Sequence, residues 1–119
     1  MLAEVEPLVE RMVVAKRALD EAQARSDEAA RSISGNGGGL PPAELAALHA
    51  ELARRATELA GIVEDIQELG AIVKDLDSGL VDFPSVRDGE EVLLCWRLGE
   101  GEIAYWHGLE DGFAGRQPL

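Results

Sequence analysis

Aromatic side chains are scarce in this chain of 119 residues: there are five, and none precedes Phe83. Residues 1–82 must therefore build their core from aliphatic groups alone. Cysteine occurs once, as Cys95, which excludes an internal disulfide. Basic residues are few, 11 Lys and Arg against 23 Asp and Glu, for a net charge of -12. Binding a phosphate backbone needs clustered cations that release counterions. No such stripe exists, so the reading excludes nucleic acid, and an anionic membrane surface is disfavoured for the same reason. No apolar run approaches the ~20 residues that span a bilayer. The opening Met1-Leu2-Ala3-Glu4-Val5-Glu6-Pro7 has neither the basic nor the apolar part of a secretory signal. With its single thiol, the chain is expected in a reducing cytoplasm.

The chemical variety that exists is concentrated late. Residues 73–119 hold all five aromatics, Cys95, His107 and ten acidic against four basic residues. A chain this long forms one small domain burying roughly 65% of its unfolded surface.

Residues 3–33 predict a helix. Val5, Leu8, Met12, Ala15, Leu19, Ala22, Ala29 and Ile33 fall on a 3-4 stripe broken only by Ser26. Pro7 suits a first turn only, so the helix starts near Glu4 or kinks there. Gly35-Asn36-Gly37-Gly38-Gly39 ends it, giving a glycine-rich loop over 35–40. A second helix is predicted over 42–76, opened by Pro41-Pro42. Leu45, Leu52, Leu59, Ile66, Val73 and Leu80 recur every seventh residue, with Leu48, Ile62, Leu69 and Leu76 between them and Arg55 as the intruder. Two such helices joined by a short loop form an antiparallel, coiled-coil-like hairpin. Val9, Val13 and Val63 widen its apolar face, which calls for a third layer from the tail or from a second copy.

The period then changes. Glu91 to Leu98 and Glu102 to His107 read as strands around Gly99-Glu100-Gly101, with Leu80-Val81-Asp82-Phe83 as a candidate third strand and Asp88-Gly89 as a turn. The small sheet is placed at 80–107 and an irregular tail at 108–119. A three-residue hairpin loop sets Cys95 opposite Tyr105 and Trp96 opposite Ala104. Alternation then puts Val92, Leu94, Trp96, Leu98, Ala104 and Trp106 on the face toward the helices. Leu93, Cys95, Arg97, Ile103, Tyr105 and His107 take the other.

Three chemistries fit residues of this tail. Arg97, Tyr105, His107 and Arg116, with Trp106 beside them, could hold an anionic small ligand, His107 also moving a proton near neutral pH. Against this, arginines usually pair with nearby carboxylates. Asp75, Asp77, Asp82 and His107 could ligate a divalent cation for a metal-assisted hydrolase or lyase. No spacing there matches a known loop, and solvated aspartates are the plainer account. Cys95 next to Trp96 reads as an inert buried thiol rather than a nucleophile for His107. The glycine segments lack the Lys-Ser/Thr of a phosphate loop, and nothing calls for an organic cofactor.

Lys74-Asp75-Leu76-Asp77-Ser78-Gly79-Leu80-Val81-Asp82-Phe83-Pro84, Val92-Leu93-Leu94-Cys95-Trp96-Arg97-Leu98-Gly99, Ile103-Ala104-Tyr105-Trp106-His107 and Gly112-Phe113-Ala114-Gly115-Arg116 resemble a bacterial family catalogued as domain of unknown function 2203. The resemblance implies a small cytoplasmic bacterial protein and carries no activity or catalytic residues. Members usually carry a Phe-Thr-x-x-Glu-Ala-Asn segment ahead of the first helix, and a native start further upstream would explain why this chain opens directly at Leu2-Ala3-Glu4-Val5-Glu6-Pro7.

The expectation is an α+β protein, a long antiparallel two-helix hairpin with a small C-terminal antiparallel sheet. The leading functional expectation is a non-enzymatic module that self-associates as a homodimer and recognises partners through its aromatic tail. Anion binding comes second and metal-dependent catalysis third.

Overall fold

The computed structural model describes residues 1–34 and 39–119, without the side chains of 33 and 34. Most of the expected glycine loop thus lies outside the described residues. Two helices, α1 (Leu2–Ser34) and α2 (Pro42–Glu68), precede five strands: β1 (Ile72–Asp75), β2 (Leu80–Arg87), β3 (Glu90–Arg97), β4 (Tyr105–Gly108) and β5 (Gln117–Pro118). The architecture is α+β. No described helix is long and apolar enough to cross a membrane. The chain forms two compact units, residues 14–61, and residues 1–13 with 62–119.

In the unit of residues 14–61, α1 and α2 run antiparallel, with Arg25 reaching Glu51 at 2.8 Å. Ala15, Ala22 and Ala29 are buried on α1 and Leu59 on α2. Arg55, the intruder, sends its guanidinium toward Glu51 and Glu58 at 3.8 and 3.7 Å. Its buried Nε has no hydrogen-bond partner.

In the other unit, α1 starts at Leu2 and continues through Pro7. Pro7 is exposed, and its missing N–H removes one bond without leaving a buried donor. The second helix stops at Glu68, eight residues before the expected end at Leu76. Gly70 (φ 93) takes the left-handed conformation, Gly70 N–H donates to Gln67 O at 2.9 Å, and Ala71 N–H donates to Ile66 O at 3.4 Å. These bonds form a Schellman cap, with Ala71 and Ile66 as its buried apolar pair. The leucine period beyond it belongs to strands.

Five strands pair antiparallel in the order β1-β2-β3-β4-β5, where two or three were expected. The sheet spans 72–118 rather than 80–107. Asp88 (φ 52) and Gly89 (φ 80) make the tight turn between β2 and β3. Cys95 faces Tyr105 and Leu94 faces Trp106, as the expected register has it, but β4 starts at Tyr105 rather than Glu102, so the connection from β3 is longer than three residues and the ladder stops short of the expected Trp96–Ala104 pair. Val81, Phe83, Val92 and Trp96 are buried on one face. Gly79 lies against Val9 and Val13 of α1, so the tail itself supplies a third layer there. Asp82, Leu93, Cys95 and His107 are buried on the opposite face. Over that face lies Phe113, whose ring meets Arg97 and Arg116 at 5.1 and 4.2 Å.

Candidate functional site

Polar groups converge on the second sheet face because three neighbouring strands each contribute one. Asp82 on β2 pairs directly across from Cys95 on β3. His107 on β4 pairs with Leu93, two positions along β3 and on the same face. The carboxylate, thiol and ring nitrogen lie within 4.8 Å of one another, and all three residues are buried. His107 Nε2 is 3.1 Å from Asp82 Oδ2, with the two side chains 2% and 1% exposed.

The hydrogen-bond roles follow from the chemistry of the partners. His107 Nδ1 is 2.8 Å from Gly108 O. A carbonyl only accepts, so Nδ1 carries the proton and donates. Nε2 then turns its lone pair toward a carboxylate that also only accepts. Something positive, a proton or a cation, must sit between them. Asp82 Oδ1 is buried with no hydrogen-bond partner, while the neighbouring Cys95 thiol is able to donate to the Asp82 carboxylate. Burial pushes the Cys95 thiol above its ordinary value, and the Asp82 charge adds to that. Arg116 works in the other direction.

Arg116 connects this centre to the chain's end. Its guanidinium stacks over Tyr105, the cross-strand partner of Cys95, at 4.0 Å and over Phe113 at 4.2 Å. It grips both Glu100 oxygens, at 3.0 and 2.6 Å. Arg97 N–H also donates to Glu100 at 2.8 Å. The bond from Arg116 is the main cause holding the Glu100 carboxyl below its ordinary value.

The expected groupings are partly realised. Arg97, Tyr105 and Arg116 gather around Phe113, but Arg116 is occupied by Glu100, and His107 sits in the buried centre. Trp106 lies on the other face, with Arg87 over its ring at 4.8 Å. Of the four expected metal ligands, Asp82 and His107 meet. Asp75 instead accepts from Ser78 N–H at 2.8 Å in the β1–β2 turn, and Asp77 is exposed there. Of the tail aromatics, Trp96 and Phe83 are buried, Tyr105 and Trp106 are half-buried and Phe113 is 38% exposed. Cys95 as a partner of Asp82 and Glu100 as the partner of Arg116 went unforeseen. Pairing the candidate third strand with Cys95's strand would have revealed the first.

No curated protein and no solved structure shows a significant match to this chain. Its match to the family described as "Uncharacterized conserved protein (DUF2203)" runs over residues 1–119, and the chain belongs to that family.

Proposed function

We propose that this protein binds a divalent transition-metal ion of the zinc class at Asp82, Cys95 and His107, as a binding module rather than an enzyme. The observation that carries the reading is the surplus of lone pairs in a buried site. A histidine is fixed by Gly108 with Nε2 facing inward, beside an aspartate with an orphaned oxygen and a thiol. Metal-bound histidines characteristically donate their other ring N–H to such an outer acceptor. The mixed N, O and S donor set suits zinc or cobalt and is too soft for magnesium or calcium. Tetrahedral bonds of about 2.0–2.3 Å draw ligand atoms to roughly 3.3–3.8 Å apart, within reach of small side-chain rotations here. Near-complete burial favours holding the ion over rapid turnover of substrate.

Native mass spectrometry and Co²⁺ titration of chelator-treated protein test this. One ion per chain and a thiolate-to-cobalt absorption band are expected, both lost in Cys95→Ser and His107→Ala. A wild-type protein that retains no ion and shows no band refutes the reading.

A second reading, self-association, draws on the exposed Ile72, Val86 and Leu109. They border a groove of about 420 Å³ with Pro84 and Leu93. Sedimentation equilibrium decides it: a monomer at high concentration removes it, and a dimer lost in Val86→Glu supports it.

A further inference from the structure

We infer that the Arg116 guanidinium is a subsite for a small carboxylate ligand beside the Asp82–Cys95–His107 centre, occupied in this structure by Glu100 as an internal stand-in. The inference deepens the metal reading, on which it rests only for what the bound ligand adjoins. The subsite itself stands on separate observations.

The first observation is the fork. Arg116 Nη1 and Nη2 each bond one oxygen of the same carboxylate, at 3.0 and 2.6 Å. This two-point arrangement matches a planar carboxylate and favours it over a spherical anion. Tyr105 and Phe113 lie on the guanidinium at 4.0 and 4.2 Å and hold its plane. The fork is therefore positioned by groups other than Glu100.

Placement is the second observation. Tyr105 pairs directly with Cys95, so a carboxylate on Arg116 adjoins the proposed metal ligands on one sheet face. The side chains of Arg116 and Glu100 are 15% and 17% exposed, against 2% and 1% for His107 and Asp82. A small solute can reach the fork, whereas the centre behind it is closed.

The third observation concerns how Glu100 is presented. It sits between Gly99 (φ 98) and Gly101 (φ 79) in the connection from β3 to β4. Besides the bond from Arg97 N–H to its carboxylate, two others fasten that turn: Glu100 N–H donates to Arg97 O at 3.0 Å, and Trp96 Nε1–H donates to Gly101 O at 2.8 Å. Side-chain rotation alone can release Glu100 from Arg116 while the turn keeps its backbone bonds. Leaving costs the carboxylate its bonds to Arg116 and to Arg97 N–H, and an incoming carboxylate replaces the first of these at the fork.

The competing account is a latch that merely fastens the chain's end. Isothermal titration with acetate and malonate, with chloride as the control anion, separates the two on zinc-treated wild type, Glu100→Gln and Arg116→Lys. Glutamine keeps the volume of glutamate, so a gain in affinity is not the filling of a void. Glu100→Gln should bind carboxylates at least about tenfold more tightly than wild type, and Arg116→Lys should lose binding. A folded Glu100→Gln protein with no gain overturns the subsite. If that variant loses its near-ultraviolet dichroism, the Arg116 Nε–H resonance of wild type is followed instead. A saturable shift with acetate and none with chloride supports the subsite, and an unchanged resonance overturns it. Native mass spectra of the same samples report zinc independently. Carboxylate binding without zinc retention would sink the metal reading alone, and zinc retention without carboxylate binding would sink the subsite alone.

Discussion

Asp82 and His107 are 25 residues and two strands apart, yet their side chains meet at 3.1 Å inside the protein. Two groups that both present lone pairs are held together by the sheet, with the second Asp82 oxygen unpartnered. This arrangement gives the sharpest mutational contrast. Asp82→Asn supplies an N–H toward His107 Nε2 and should leave the metal-free protein as stable as wild type or more so. Metal affinity should fall by more than the ~10–100-fold that losing an outer partner costs. Asp82→Ala leaves the ring nitrogen unpaired and should cost the metal-free protein ~1–3 kcal/mol. Urea unfolding and Co²⁺ titration of both variants check this.

Gly79 (φ 72) occupies a position where a Cβ would lie 2.8 Å from Val9 Cγ1 and 2.9 Å from Leu98 Cβ. Gly79→Ala combines left-handed strain of ~1–2 kcal/mol with overpacking of ~1–3 kcal/mol. Gly89 (φ 80) has open space around it, so Gly89→Ala should show the strain alone. The difference between the two unfolding free energies measures the packing of α1 on the sheet.

Leu59 is buried and Leu45 only half-buried, although both belong to the same seven-residue series. Leu59→Ala should destabilise by ~2–5 kcal/mol, and Leu45→Ala clearly less. Equal losses would contradict the arrangement of α1 and α2 within residues 14–61.

The Glu100 carboxyl is held below its ordinary 4.5, first by its bond to Arg116. A carboxyl depressed in the folded state stabilises above its unfolded value, and that contribution fades as pH falls through the folded value. Thermal midpoints of wild type should therefore decline below about pH 4.5, in part through this group. Glu100→Gln should flatten that part of the acid limb and leave the region from pH 6 to 8 parallel to wild type.

Burial and the Asp82 charge raise the Cys95 thiol above its ordinary 9.0, against the pull of Arg116. The folded protein should react slowly with an aromatic disulfide reagent at pH 8, and the denatured protein rapidly. Zinc should slow the folded reaction further. Fast labelling of the folded chain would contradict both the burial and the proposed ligation.

The α+β class, the helical start, the β2–β3 turn at Asp88-Gly89 and the Cys95–Tyr105 register were all legible in the sequence. Each depends on patterns within a few residues: periodicity, glycine placement and the alternation of a strand. The end of α2 at Glu68 is masked in the sequence because Val73, Leu76 and Leu80 continue the leucine spacing past Gly70. A buried strand needs the same apolar side chains as a helix seam, so spacing alone did not mark the change, whereas the glycine did. Alternation likewise puts Cys95 and His107 on one face, whereas Asp82 comes opposite Cys95 only once the strand before Asp88-Gly89 is paired with β3.

By itself the sequence determined the elements and which residues share a face, because backbone sterics and side-chain period act over short stretches. Only the tertiary structure decided that Asp82 stands across from Cys95, that His107 turns Nε2 inward and that Glu100 fills the Arg116 fork. Those meetings depend on strand order and on contacts between residues 13 to 25 positions apart, and pairing over such distances is selected by the packing of the whole sheet.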